Sequence, residues 1–249
     1  MNPNFCMRVA RLPTSSTKTT MPSPLQSLFA AIIEDDRAKV KVLLNQHSGL
    51  AGNGASEEDR YELRIAHWIY AGDSALHVAA AGYRVEIAKM LLAAAADSGS
   101  AKNRRWSQPL HYASDGYLES AFWNARRQVA MIRLLLKAGA NIDAQDKNGA
   151  TPLHRAVRTR CAAAVRCLLD AGGDLTIRNK PGSTPFHLAV QNTGRGGSGA
   201  EKARTAQREI LRAFLERGVS PALKDAKGKS ILEWAKSDWI LQILAGNAD

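Results

Sequence analysis

Six histidines and three cysteines are the side chains of this sequence best suited to metal binding or nucleophilic catalysis. A zinc ion needs its Cys or His ligands about 2 Å away, and a Cys–His or Ser–His pair must come within hydrogen-bond reach. The spacing serves neither. His77, His111, His154 and His187 stand 34, 43 and 33 residues apart, each inside a similar short motif. Cys6, Cys161 and Cys167 match no zinc pattern and cannot make a disulfide framework, so they read as reduced thiols of a cytoplasmic chain. The Gly194–Gly199 run lacks the G-K-S/T ending of a phosphate loop and reads as a flexible linker. The sequence therefore predicts no catalytic residue, no metal site and no cofactor.

Two other groups have chemistry suited to recognition. Aromatic residues concentrate between 61 and 123, among them Trp68, Trp106, Tyr112 and Trp123. Tyr and Trp are favoured anchors of protein interfaces. Basic residues concentrate in 149–227, where fourteen Lys/Arg and six Asp/Glu carry +8 of the chain's +11. Such a balance suits an acidic partner, an anionic surface or nucleic acid. Arg155 and Arg158 are three apart on one helix face, and because buried charge is costly both are expected in solvent. No aromatic interleaves these basic residues, which argues against single-stranded nucleic acid. The competing bland readings are a solvated basic face, and aromatics that only hold long loops down.

An internal repeat sets the elements that must position these residues. Ser74-Ala75-Leu76-His77, Gln108-Pro109-Leu110-His111, Thr151-Pro152-Leu153-His154 and Thr184-Pro185-Phe186-His187 align, each with an alanine two residues after the His. Leucine-rich runs follow in phase, such as Leu134-Leu135-Leu136 and Cys167-Leu168-Leu169. Within one unit, Thr151 is a good N-cap and Pro152 suits the first helical position. Leu153, Ala156 and Val157 then form one apolar helix face, and Val165, Leu168 and Leu169 a second. Gly172-Gly173 ends the second helix, and Asn179-Lys180-Pro181-Gly182 is a tight turn at a hairpin tip.

These motifs resemble the ankyrin-repeat family over roughly residues 71–245. The resemblance implies an all-α solenoid of helix–turn–helix units joined by hairpin loops. Clear repeats fall at about 71–105, 106–148, 149–181 and 182–227, with degenerate caps at about 25–53 and 228–249. Leu25 to Leu44 reads as the first cap, with a polar turn at Glu34-Asp35-Asp36. At the other end Ser230-Ile231-Leu232-Glu233 replaces the motif, and Glu233 stands where the His should be. The pattern departs from the family in three places: an enlarged first connection at 45–73 and insertions after Asp115 and around 194–199. Residues 57–70 read as an extra helix within the first of these.

The remaining classes are bounded by composition. With 249 residues and 45% hydrophobic content the chain can bury a sizeable core and is not disordered throughout. No apolar run approaches the ~20 residues of a membrane span. Residues 1–24, rich in Ser, Thr and Pro and free of acids, read as a disordered tail or as lying upstream of a start near Met21; their composition also suits a transit peptide.

What the resemblance implies about function is recognition of another protein through hairpin tips and the concave face. The expectation is a non-catalytic interaction module or scaffold in the cytoplasm, with an acidic protein partner. Trp106, Tyr112, Arg155, Arg158 and Lys180 are its expected partner-binding residues. The alternative is a binder of nucleic acid or another anionic surface through 149–227. His77, His111, Thr151, His154, Thr184 and His187 are expected to be structural.

Overall fold

Helices start where the motif residues require. Thr151 accepts the N–H of His154, and Pro152 fills the first helical position, where its missing N–H is not needed. Pro109 and Pro185 open their helices in the same way. Ser23 and Gln26 cap each other reciprocally at the start of the chain's first helix, again with a proline, Pro24, next in line. Asp36 caps the second through Lys39 N–H at 2.9 Å.

The computed structural model describes residues 22–56, 69–97, 101–116, 123–192 and 199–246. These contain α1 (Pro24–Ile33), α2 (Arg37–Gln46), α3 (Ala75–Ala81), α4 (Val85–Ala93), α5 (Pro109–Ser114) and α6 (Ala125–Lys137). They continue with α7 (Pro152–Arg158), α8 (Ala162–Asp170), α9 (Pro185–Ala189), α10 (Glu201–Leu215), α11 (Ile231–Trp234) and α12 (Asp238–Leu244). The odd-numbered helices pack in succession from α1 to α11, and the even-numbered ones from α2 to α12. The result is two helical layers with no strand among the described residues, an all-α repeat stack. Residues 1–21 of the tail expected over 1–24, and 57–68 of the extra helix expected over 57–70, with His67 and Trp68, lie outside the described residues; Ile69 and Tyr70 are not helical, and Pro24 already belongs to α1.

The core runs unbroken between the layers. Leu153, Ala156, Val157, Val165, Leu168 and Leu169 are all buried, as the helical periodicity requires. Leu28, Phe29 and Ile32 of α1 join the same core, so the N-terminal cap is an ordinary helix pair with an altered motif. At the other end Ile231, Ile240, Ile243 and Leu244 cover the last full repeat.

Both inserted repeats have long second helices. α6 has 13 residues and α10 has 15, against 9 in α4 and α8. Part of each insertion is thus taken up as extra turns at the helix start. The enlarged first connection closes at its base, where Ala55 N–H bonds Asp73 O at 2.7 Å and Gly72 N–H bonds Ala55 O at 2.8 Å.

Candidate functional site

Each motif histidine joins its own helix start to the following hairpin. The N-cap N–H groups of Ser74, Gln108, Thr151 and Thr184 donate to the ring Nδ1 of His77, His111, His154 and His187 at 3.1, 3.1, 3.2 and 3.3 Å. Nε2 then meets the carbonyl of Ser107, Ala150, Ser183 and Lys229 at 3.0, 3.1, 3.1 and 3.3 Å. An Nδ1 that accepts leaves the proton on Nε2, so each ring is neutral and both nitrogens are occupied. Burial depresses the pKa of all three rings that follow His77. His111, with Arg155 also nearby, falls to about 4, and His154 and His187 move the same way. In the last unit the Glu233 carboxylate accepts the Ser230 N–H at 2.6 Å and its hydroxyl at 2.8 Å. Cys161 and Cys167 are free and buried, and burial raises both thiol pKa values, which makes them poor nucleophiles. No group of three metal-ligating side chains forms among the described residues.

Two expected binding residues are not on the surface. Tyr112 is 2% exposed and Arg155 is 8% exposed. Both stand one residue after the motif His, and both reach the same two places. Tyr112 Oη accepts from Asn103 Nδ2 at 2.8 Å and donates to Asp73 Oδ2 at 2.7 Å. Arg155 donates to Asp146 Oδ2 at 2.8 Å and to Ser107 Oγ at 2.6 Å, and makes a third bond to Asp115 Oδ2 at 2.8 Å. Asn103 and Asp146 open their own hairpins, while Asp73 and Ser107 end the preceding ones. The residue therefore clamps two successive hairpins. Burial works against the Arg155 charge, but Asp115 and Asp146 outweigh it and hold the guanidinium pKa above its ordinary value. Burial likewise opposes the Asp146 carboxylate, and Arg155 with two backbone N–H groups overcomes it and lowers its pKa. Trp234, in the corresponding place of the last unit, donates Nε1–H to Asp225 Oδ2 at 3.0 Å.

The other expected residues are exposed. The Arg158 side chain is 62% exposed and 3.5 Å from Asp115 Oδ1. Lys180 is exposed at a hairpin tip, and its N–H bonds Asn148 O of the previous tip at 2.9 Å. Trp106 is 54% exposed and ends the second tip. Its φ is +59°, in the place that Gly72, Gly149, Gly182 and Gly228 occupy in the other tips at +84°, +70°, +93° and +79°. A bulky side chain there is strained, whereas glycine is not.

A pair of glutamines escaped the sequence reading. Gln128, in the first turn of α6, and Gln207, midway along α10, are fully buried. Gln128 Nε2 donates to the carbonyls of Ala113 and Asp115 at 3.1 Å, and Gln207 Nε2 to those of Ala189 and Gln191 at 2.6 and 2.8 Å. The uninterrupted repeats close the same helix ends through a tight turn, as in Cys161 N–H to Ala156 O at 2.9 Å. Where an insertion removes that turn, a side-chain amide supplies the donor. Each stands seven residues before the last core residue of its helix run, Leu135 or Phe214, a spacing visible in the sequence once the role is known. Trp123, expected to hold down a loop, donates Nε1–H to Gln128 Oε1 at 3.0 Å.

Comparison with known proteins agrees with this architecture. A family model described as ankyrin repeats in three copies matches residues 120–225, and one for a single ankyrin repeat matches residues 71–104. The crystal structure of an ankyrin repeat domain from Acinetobacter baumannii AYE is similar, with a TM-score of 0.64 and 23% identity. The match covers 88% of this chain and 94% of that one. No curated protein matches.

Proposed function

The chain belongs to the ankyrin-repeat family, and from that premise we propose that it is a non-catalytic module or scaffold that binds a partner protein through its hairpin tips and the concave face of its first helices. Ankyrin repeats generally mediate protein–protein interaction and are typically non-catalytic. The observation that carries the reading is where the polar chemistry goes. The motif histidines and the Arg155 cluster are consumed in joining repeats, while Trp106, Arg158 and Lys180 are left exposed. The free thiols Cys161 and Cys167 suit a cytoplasmic setting.

The test is affinity capture with mass spectrometry on the full chain beside a Trp106→Ala, Arg158→Glu, Lys180→Glu variant. The expected result is a protein enriched by the wild type and lost from the variant. Equal capture by both moves the interface elsewhere, and no enrichment over bare beads refutes the reading. The basic excess in 149–227 favours one second reading, an anionic surface or nucleic acid as ligand. A steep fall of oligonucleotide binding with salt is its signature.

A further inference from the structure

We propose that the row of hairpin tips is a docking ridge for an extended acidic polypeptide segment, anchored by an apolar residue against Trp106. This deepens the protein-binding reading and rests on it.

The ridge is built of four-residue tips, whose two middle residues are half-buried in the first tip and exposed in the other four. These are Tyr70-Ala71, Arg104-Arg105, Lys147-Asn148, Lys180-Pro181 and Ala226-Lys227. They hold five cations and no carboxylate. The acids of the same hairpins are turned inward, Asp146 onto Arg155 and Asp225 onto Trp234. Exposed Asp174 and half-buried Asp143 stand where the hairpins leave the helices, away from the tips, and are bonded to one another through Asp174 N–H. Among the described residues Arg105, Lys147, Lys180 and Lys227 have no carboxylate partner. The field around these four cations is therefore positive.

The tips are also held in register. Arg104 N–H bonds Ala71 O, Lys147 N–H bonds Arg105 O and Lys180 N–H bonds Asn148 O, each at 2.9 Å, and Ala226 N–H bonds Gly182 O at 3.0 Å. Helical layers pack roughly 8–10 Å apart. Three residues of extended chain span about 10 Å. In a polyproline-II segment three residues complete one turn and rise about 9 Å, so an acidic side chain at every third position would meet one tip cation after another.

Trp106 marks the anchor. It is the one tip residue at its position that is not glycine, and it holds a strained left-handed φ of +59°. Trp106 is 54% exposed and is not part of the buried core. A strained, exposed aromatic gains little in the free protein, and strain of this kind points toward a binding role. One face of the ring carries Lys147 Nζ at 5.9 Å, and Arg105 lies over Tyr70 at 4.6 Å. The same cations would also attract a phosphate backbone, so stacking of nucleobases on Trp106 is the competing outcome that the oligo-dT arm reads.

The test is a random-peptide display selection on the full chain, followed by titration of the enriched peptides. It compares the wild type, Trp106→Gly and the Lys147→Glu, Lys180→Glu variant, with single-stranded oligo-dT as competitor. Enriched peptides should be acidic with an apolar residue. They should bind at least tenfold more weakly to either variant and should weaken with salt. Trp106→Gly should melt no earlier than the wild type, because glycine relieves the backbone, so lost binding is not lost folding. Enriched peptides that bind both variants like the wild type overturn the ridge but leave the protein-binding reading standing. No enrichment, with salt-sensitive binding of oligo-dT, overturns both, and no binding of either probe overturns the ridge.

Discussion

Replacing Arg155 with Met should destabilise the protein by about 3 kcal/mol at pH 7. The guanidinium is 9% exposed and pairs at 2.8 Å with Asp115 and Asp146, whose side chains are 13% and 6% exposed. Removing one partner of a buried pair costs about 3–5 kcal/mol, because the remaining charge is left uncompensated. Met keeps the apolar stem, so little cavity opens. Two features place the loss at the low end. Asp146 Oδ1 still accepts the N–H groups of Asn148 and Ala150 at 2.8 and 3.0 Å. Arg158, 3.5 Å from Asp115, remains as a partial partner. Adding Asp115→Asn and Asp146→Asn removes the stranded charges and should recover most of the stability. The sign with pH follows from Asp146. Its folded pKa lies below the ordinary 3.8, so its stabilisation is present above that value and is lost as pH falls through the folded value. The gap between wild type and Arg155→Met should therefore narrow in acid. Equilibrium urea unfolding at pH 7 and pH 3 measures it. A loss under about 1 kcal/mol, or one that the two asparagines do not repair, would show that the cluster is not the buried clamp described above.

Three further outcomes are expected. Leu168→Ala or Leu153→Ala should cost about 2–5 kcal/mol in urea titration, since both side chains are at most 1% exposed between the layers. Gln128→Leu, nearly equal in volume, should cost about 1–3 kcal/mol by stranding the carbonyls of Ala113 and Asp115; a neutral result would mean that water satisfies them. Thermal stability should fall as pH is lowered from 6.5 toward 4. In that window the unfolded state binds a proton that folded His111, with its pKa near 4, refuses, and a flat profile would contradict a neutral buried ring.

The histidines show how far a repeat can be read without coordinates. Their spacing and motif argued for a structural role, and in the folded chain each joins its own helix start to the next hairpin. Arg155 shows where such reading stops. Its charge and its place beside the motif His argued for solvent, yet it is buried. Helical periodicity describes one helix against one partner, and what covers Arg155 is the fold of two successive hairpins, the one leading into its own helix and the one before it. Tyr112 was misplaced for the same reason.

The sequence by itself determined the elements and their order. N-cap and proline chemistry start the helices, glycine-bearing turns end the hairpins, and a recurring apolar pattern has to be buried by stacking, all of which are local effects. Tertiary structure alone decided which polar residues serve the stack and which stay exposed. Tyr112, Arg155 and Trp234 each lie nine residues after the hairpin side chain that they bond. Whether that side chain reaches inward depends on how closely the previous hairpin approaches. Trp106 is the converse case. Its identity was plain in the sequence, but its cost was not, because a left-handed φ at that tip shows itself only when the chain is folded against its neighbours.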